Sequence, residues 1–420
     1  RLGPSLPWLL GMDAPRTYLV LVQNNHELRA TGGFIAAVGR VTVDKGKPAE
    51  LDFVDSYQLY NPEHTYPTAP LPMRQHMAID LLLMRDANWS PNFPTTAQMA
   101  RALYAQETGI EVDGIFTVDI NAVKLLVGAL GDLQVAGADE PITGANIEEQ
   151  IIRFWEQPAD FEDTISDPAQ EDWWSRRKDF VPAIAKAALE RVQQGANYAA
   201  LLAAAQTALD ARSIQGWVAN PQVQSVLSEA HWDGSLQPLA GADFLAVVDM
   251  NMGYNKVDAA IERSLDYRVT WPPEENGRGL AVLTLTYTHP ITQPDPGCDP
   301  ASRYGATYAD MIARCYFDYV RVYAPAGSEL VAVEGVDLDT VTSRRGERGT
   351  QEFAGYFVLP TDSEQQVTWT YRLPPGLGPE DYRLILQRQS GTQPLPVRLH
   401  IGAAEQEMTL SEGRLEWPAE

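Results

Sequence analysis

The sequence lacks a long hydrophobic run: no apolar stretch approaches the roughly 20 residues that span a bilayer. Basic residues are also scarce, because 32 lysines and arginines stand against 56 aspartates and glutamates and give a net charge of −24. Nucleic acids and anionic lipid surfaces bind proteins through broad basic patches, so this charge excludes them as general partners. A small basic site inside an acidic body remains compatible with the composition.

Cysteine is rare, with only Cys298 and Cys315 in the chain. Their spacing closes a loop of a size that disulfides often close, which predicts a disulfide and an oxidising compartment. Two unpaired, buried thiols are the alternative interpretation. Because the chain begins at Arg1 and not at methionine, we expect residues 1–13 to be a lead segment that follows an upstream membrane anchor or a cleavage site.

Several familiar catalytic motifs are missing from the sequence. It contains no phosphate-binding loop of the Walker type, no His-Glu-x-x-His zinc motif, no Gly-x-Ser-x-Gly turn and no Cys-x-x-Cys pair. The six histidines are scattered along the chain. The sequence therefore gives no support to the enzyme classes that these motifs define.

Strand-like and helix-like patterns alternate in the first part of the chain. Thr95 and Gln98 form a capping-box pair at a helix start, and Pro182 is tolerable only near the beginning of its helix. Strands that alternate with helices predict a layered α/β domain, which we place at residues 14–262. The predicted strands are residues 18–23, 34–43, 51–54, 114–118 and 244–248, and the predicted helices begin at Thr95 and cover residues 121–130, 180–192 and 198–211.

The pattern changes after about residue 262. Short segments such as residues 280–288 and 317–323 alternate apolar and polar side chains in period two, with prolines and glycines between them. Many short strands without a helical pattern are typical of an antiparallel sandwich. Residues 263–420 are therefore predicted to form an all-β domain with a generic likeness to immunoglobulin-type sandwiches.

Three polar clusters are candidate binding sites. Residues 24–33 directly follow the first strand, where ligands bind in α/β sheets. Residues 85–94 combine polar and aromatic side chains before a helix. Arg176-Arg177-Lys178 begins a long helix, where clustered cations are unfavourable by themselves and suggest a bound anion. The alternative interpretations are a polar turn, a rigid proline-rich connector and a solvated basic face.

The segment at residues 95–135 resembles part of the LytR-CpsA-Psr family. In that family a helix leads to a Gly-Ile turn, a strand ending in Val-Asp, and a second helix that ends in two glycines. This sequence has Gly131-Asp132 at that end, so one glycine is replaced. Residues 167–188, which contain the basic run, resemble the segment that opens the last helix of the family.

The combination of residues 24–34 with residues 85–91 is more similar to a bacterial cell-envelope family known as domain of unknown function 4012. The core of that family is similar to LytR-CpsA-Psr proteins, and its members are usually anchored in the membrane upstream. The resemblance extends over roughly residues 14–262 and implies a LytR-CpsA-Psr-like fold for the α/β domain.

LytR-CpsA-Psr proteins move glycopolymers from polyprenyl diphosphate carriers onto peptidoglycan or related acceptors, with Mg²⁺ at the diphosphate. Guanidinium groups suit a diphosphate because they place positive charge where negative charge develops. Mg²⁺ prefers carboxylate oxygens and water, so Asp55 or Asp86 would hold the metal. The resemblance implies a phosphate-binding clamp of Arg29, Arg85, Arg177 and Lys178, with Arg29, Arg85 and Asp86 as catalytic residues.

The sequence departs from the catalytic pattern of that family at two places. The Arg-x-Asp after the first strand reads Arg29-Ala30-Thr31 here, so a carboxylate is missing. The Ile-Pro-Arg-Asp segment reads Val54-Asp55-Ser56-Tyr57, so an arginine is missing. Activity as a glycopolymer phosphotransferase is therefore an open alternative to binding alone.

We expect an extracytoplasmic cell-envelope protein, secreted or anchored through an upstream segment, that binds a polyprenyl-diphosphate-linked glycopolymer, with transfer of this polymer as the open alternative to binding alone. Its expected partners are a lipid-linked glycan or a cell-wall polymer, with Mg²⁺ as cofactor and no nucleic acid. The alternative is a non-catalytic structural subunit of a surface layer, filament or adhesin that self-assembles at the cell surface.

Overall fold

The computed structural model describes residues 3–156, 168–275, 277–293, 295, 297–301 and 307–418, and the side chains of residues 168–179 are outside this description. The helices are α1 (Leu6–Leu9), α2 (Leu71–Met77), α3 (Phe93–Thr108), α4 (Ile120–Leu130), α5 (Ile147–Trp155), α6 (Pro168–Gln193), α7 (Tyr198–Asp210), α8 (Pro221–Glu229) and α9 (Tyr308–Ile312). The strands are β1 (Arg16–Asn24), β2 (Phe34–Asp44), β3 (Lys47–Asp55), β4 (Gly114–Val118), β5 (Ile214–Val218), β6 (Asp243–Val248), β7 (Glu262–Thr270), β8 (Leu280–His289), β9 (Tyr316–Pro325), β10 (Glu329–Glu334), β11 (Asp337–Arg345), β12 (Thr350–Leu359), β13 (Ser363–Arg372), β14 (Leu384–Gln387), β15 (Leu395–Ile401), β16 (Ala404–Leu410) and β17 (Arg414–Trp417).

The first sheet has the strand order β3-β2-β1-β4-β5. Only β1 and β4 pair in parallel, and Val22 lies opposite Val118 at the ends of these two strands. One face of the sheet packs on α3 through a core that contains Leu19, Leu21 and Phe93. The predicted mixed α/β architecture of this region is confirmed, and it brings the carboxyl ends of β1 and β4 to the same edge.

Two helix details differ from the sequence predictions. Helix α3 begins at Phe93 with a proline in its first turn, because the fixed φ of proline suits that position. The Thr95 hydroxyl accepts a hydrogen bond from Asn92 and donates to Glu347, so the predicted capping box is wrong. Pro182 lies inside α6, which starts at Pro168, so the prediction that it lies near a helix start is also wrong.

The C-terminal region contains two six-stranded sheets, ordered β10-β13-β8-β7-β15-β16 and β11-β12-β9-β6-β14-β17. They share one hydrophobic core, to which Tyr267 and Trp369 contribute from one sheet and Val320 and Phe353 from the other. The sheets are mixed, because β6 pairs with β14 and β7 pairs with β15 in parallel. The prediction of purely antiparallel strands without helix is therefore wrong, and an immunoglobulin-type topology stays a prediction.

Strand β6 was expected in the α/β sheet, but it pairs with β9 and β14 of the C-terminal region. Phe244, Leu245 and Ala246 are all buried, and such a run fits a central strand of any sheet. The pattern of residues 244–248 therefore predicts a buried strand correctly, while its partners depend on contacts far away in the chain. The domain limits 14–262 and 263–420 stay predictions.

The two cysteines form a disulfide, as predicted, and Cys315 is fully buried. The loop that this bond closes contains α9. None of the helices in the described part of the chain combines the length and the hydrophobicity needed to cross a bilayer.

Candidate functional site

A cavity of about 470 Å³ lies at the sheet edge where β1 and β4 end. Its apolar wall comes from Val123 of α4, Ile151 and Phe154 of α5, and Phe180 of α6. The rings of Phe154 and Phe180 stack with their centroids 3.7 Å apart. Helices α4, α5 and α6 thus supply a hydrocarbon surface on one side of the cavity.

The rest of the lining includes polar and charged side chains. Arg85 and Asp86 reach it from the segment before α3, and Glu27 reaches it from the loop after β1. Tyr254 and Lys256 come from the segment after β6, in the C-terminal part of the chain. The cavity therefore combines a hydrocarbon wall with a small group of charges of both signs.

Arg29 is completely buried and does not line the cavity. Its Nη1 donates to the carbonyl oxygens of Leu28 at 3.2 Å and Asn251 at 2.7 Å, and its Nη2 donates to Glu27 Oε1 at 2.9 Å. Nη2 also lies 4.0 Å from Asp86 Oδ1. In the structure Arg29 therefore binds Glu27 but does not reach the cavity itself. Its role as a phosphate ligand stays a prediction.

Glu27 lies between two cations. Its Oε1 accepts from Arg29, and its Oε2 lies 2.5 Å from Lys256 Nζ. Burial pushes the pKa of Glu27 upward, but the charges of Lys256 and Arg29 outweigh this and hold the pKa below its usual value. The carboxylate is therefore ionised and balances two buried positive charges.

Arg85 and Asp86 place a guanidinium and a carboxylate side by side on the cavity wall. Arg85 Nε lies 3.6 Å from Asp86 Oδ2, and the guanidinium lies 4.6 Å from the centre of the Tyr57 ring. Burial raises the pKa of Asp86, against the opposing charges of Arg29 and Arg85. Asp86 Oδ2 has no hydrogen-bond partner among the described residues, which leaves a buried acceptor for a ligand.

The two predicted metal ligands, Asp55 and Asp86, both line the cavity. The Asp55 side chain accepts a hydrogen bond from the backbone N–H of Tyr57 at 2.9 Å. Within the described residues, no group of three or more His, Cys, Asp or Glu side chains converges as a metal-binding cluster. Mg²⁺ often takes one or two carboxylates together with waters and substrate phosphates, and Asp86 Oδ2, which accepts no hydrogen bond among the described residues, fits that chemistry.

Asp119 and Gln23 form the floor of the cavity at the ends of the parallel pair β4 and β1. Asp119 caps α4 by accepting from the backbone N–H of Ala122 at 2.8 Å. Burial raises the pKa of Asp119 to about 7. Asp119 Oδ2 and Gln23 Oε1 are buried without hydrogen-bond partners among the described residues, so a weakly acidic group faces the cavity near neutral pH.

The position at which the resembled family has its catalytic carboxylate is neutral here. Thr31 is 1% exposed, and its hydroxyl accepts hydrogen bonds from Gln23 Nε2 at 3.0 Å and Asn88 Nδ2 at 3.2 Å. A hydroxyl held by two amide groups cannot act as a strong base or as an anionic metal ligand. Carboxylate chemistry in this cavity therefore depends on other residues that line it, namely Glu27, Asp55, Asp86 and Asp119.

The other predicted phosphate ligands, Arg177 and Lys178, lie in α6, and their side chains are outside the described residues. Sequence reasoning included Glu27 in the candidate cluster at residues 24–33 without giving it a role, and it missed Lys256 and Tyr254. The polar run at residues 249–258 directly after a buried strand is a signal that could have identified the last two, because such loops often carry binding residues.

The loop at residues 24–33, predicted as an open ligand loop, is covered by the C-terminal region. Gln389 Nε2 donates to the carbonyl oxygen of Arg29 at 3.1 Å, and Asn25 Nδ2 donates to the carbonyl oxygen of Gly391 at 3.0 Å. Of the residues in this loop, Asn24 and Glu27 line the cavity. Residues of the C-terminal region therefore help to form the site.

Residues 13–153 match the model of a family described as Protein of unknown function (DUF4012), which confirms the predicted resemblance over that stretch. No curated protein matches the chain.

Three solved structures are similar to the chain at low identity. The Lin1025 protein from Listeria innocua has 11% identity and a TM-score of 0.29, with 52% of this chain and 78% of that chain covered. A LytR-Csp2A-Psr enzyme from Actinomyces oris has 14% identity and a TM-score of 0.31, with 52% and 76% covered. A transcriptional regulator (EF0465) from Enterococcus faecalis has 11% identity and a TM-score of 0.30, with 54% and 74% covered. At these TM-scores the similarity supports no conclusion about function.

Proposed function

We propose that this chain is an extracytoplasmic cell-envelope protein that binds a polyprenyl-diphosphate-linked glycopolymer in the cavity at the edge of the first sheet. The observation that carries the proposal is that hydrocarbon side chains and charged side chains line the same cavity. The stacked Phe154 and Phe180 offer hydrocarbon contact to a polyprenyl chain, and Arg85 offers a guanidinium to the diphosphate.

The proposed location is supported by the Cys298–Cys315 disulfide, since disulfides persist mainly outside the cytoplasm. For Mg²⁺, Asp86 is the proposed ligand, and the metal would supply charge neutralisation for the diphosphate. Transfer of the glycopolymer to an acceptor is a further possibility within this proposal. The structural alternative, a self-assembling surface subunit, stays a prediction.

The direct test is a titration of the protein with geranylgeranyl diphosphate, with and without Mg²⁺, by isothermal calorimetry. We expect binding to the wild type and a loss of at least about tenfold in affinity for Arg85→Met, because a charge-assisted contact to phosphate is removed. Arg101→Met is the matched control, since Arg101 pairs with Glu111 on the surface and does not line the cavity. Equal affinity of wild type and Arg85→Met would contradict the proposed site.

A further inference from the structure

The segment at residues 249–258 is hydrogen-bonded to the loop after β1. The backbone N–H of Gly253 donates to Asn251 Oδ1 at 2.8 Å, which closes a tight turn. The loop is joined to the region after β1 on both sides: Asn251 N–H donates to the carbonyl oxygen of Leu28 at 3.1 Å, and Leu28 N–H donates to Asp258 Oδ2 at 2.9 Å. These buried bonds fix the direction in which the loop presents its side chains.

Tyr254 in this loop has a φ of 49°, in the left-handed region that is uncommon for residues other than glycine. Its hydroxyl donates to the carbonyl oxygen of Met77 at 2.5 Å. A bulky residue held in such a backbone conformation costs free energy, and such positions are concentrated at binding sites. Both Tyr254 and Lys256, two residues later, line the cavity.

Lys256 is 7% exposed and lines the cavity. Among the described residues its only hydrogen-bond partner is Glu27 Oε2, at 2.5 Å, and it also lies 5.6 Å from the centre of the Phe34 ring. An ammonium group has three N–H donors, so two of them are left over at a cavity wall. A lysine that is buried against a single carboxylate can therefore accept a further anionic partner.

Lys256 is not the only cation that balances the carboxylate charge of Glu27. Its other oxygen accepts from Arg29 Nη2 at 2.9 Å, behind the wall. If Lys256 turned to a ligand, Glu27 would keep one buried cation and would not become an uncompensated charge. The arrangement thus allows an exchange of partners at Lys256 at limited cost.

We propose that Lys256 is an anion-binding residue of this cavity. In the absence of ligand its ammonium group pairs with Glu27, and a diphosphate group replaces Glu27 as the partner of Lys256 when it binds. The C-terminal region would then contribute a binding residue and not only a covering surface. The assignment of a diphosphate rests on the proposed function. The exchange between Glu27 and the ligand is a separate claim that can fail by itself.

The test is a titration with inorganic pyrophosphate and, in a second series, with geranylgeranyl diphosphate. We expect Lys256→Met to lower the affinity for both probes at least about tenfold, because a charged hydrogen bond is lost. Glu27→Gln should raise the affinity for pyrophosphate, because the competing carboxylate charge is removed. Lys124→Met is the matched control, since Lys124 also forms an ion pair at 2.6 Å, with Glu148, but does not line the cavity.

Thermal unfolding of each variant checks that the fold is kept. If a single variant does not fold, the double variant Glu27→Gln, Lys256→Met removes both charges together. Its affinity for pyrophosphate should be lower than that of the wild type. Equal affinity of Lys256→Met and wild type for both probes would overturn the inference while leaving the proposed function intact. Binding of pyrophosphate through Lys256 without binding of the prenyl diphosphate would support the residue and contradict the proposed function.

A wild type that binds neither probe would overturn both. Weaker pyrophosphate binding by folded Glu27→Gln would overturn the exchange, since it would show that the carboxylate supports the ligand and does not compete with it.

Discussion

Gln389 joins the two halves of the molecule through the backbone of Arg29, which lies 360 residues earlier in the chain. Its Nε2 donates to the carbonyl oxygens of Arg29 at 3.1 Å and Asp249 at 2.7 Å, and its Oε1 accepts from the backbone N–H of Asp249 at 2.9 Å. Gln389 is 6% exposed, so all three bonds are shielded from water. One amide side chain thus satisfies backbone groups of both the β1 loop and the segment after β6.

We predict that Gln389→Ala lowers the free energy of unfolding by roughly 2–5 kcal/mol, because three buried backbone groups lose their partner. Urea unfolding followed by circular dichroism measures the change. Gln393→Ala is the control, since that glutamine is exposed and makes no hydrogen bond among the described residues. A Gln389→Ala protein as stable as the control variant would show that this connection contributes little.

Local pattern was enough to predict four of the five strands of the first sheet, whereas β5 was missed. Residues 114–118 were predicted as a strand and form β4 with the same limits. Gly109 ends α3 in the left-handed conformation with a φ of 71°, a position that favours glycine. In these cases the relevant interactions lie within a few residues, so hydrophobic period and turn chemistry are sufficient.

The pairings across the chain could not be predicted in this way. Glu27 and Lys256 are 229 positions apart, and nothing in the neighbourhood of either residue indicates the other. Strand β6 has an apolar pattern that fits both the first sheet and the C-terminal sheets. The candidate cavity was therefore predicted from the polar clusters only in part: Arg85 and Asp86 line it, whereas Arg29 lies behind it.

Asp119 should give the protein a specific pH dependence of stability. Its pKa is about 7 in the folded state, above the value of about 3.9 expected in the unfolded chain. A carboxyl group with a raised folded pKa contributes most stability below the unfolded pKa, and that contribution is lost as the pH rises through about 7. Wild type should thus lose stability from this group between about pH 4 and pH 7.

Asp119→Asn should remove this dependence, because asparagine stays neutral and still caps α4. Relative to the variant, wild type should become less stable by up to about 4 kcal/mol between pH 4 and pH 8. Urea unfolding across this pH range measures the difference, and other titrating groups cancel because both proteins contain them. A constant difference at all pH values would contradict the raised pKa of Asp119.

The disulfide should stabilise the wall of the cavity that α9 supplies. Met311 of α9 lines the cavity, and the Cys298–Cys315 bond closes the loop that contains this helix. Replacing both cysteines by serine should lower the free energy of unfolding by about 3 kcal/mol, from the loop-closure entropy of a loop of this size. Unfolding of the wild type with a reductant should reproduce the loss, whereas the reductant should leave the variant unchanged.

The apolar wall should be separable from the anion site. Phe154→Ala removes one of the two stacked rings and should weaken binding of geranylgeranyl diphosphate, because hydrocarbon contact worth roughly 1.5–3 kcal/mol is lost. Binding of inorganic pyrophosphate should stay within about twofold of wild type, since that probe has no hydrocarbon chain.

Tyr198→Ala is the matched control, because that aromatic ring is 60% exposed and does not line the cavity. Parallel calorimetric titrations with the two probes measure both affinities. If Phe154→Ala weakened both probes equally, the cavity would have collapsed as a whole, and the separate roles of the hydrocarbon and the charged side chains would be wrong. If it weakened neither, the prenyl chain would bind outside the stack of Phe154 and Phe180.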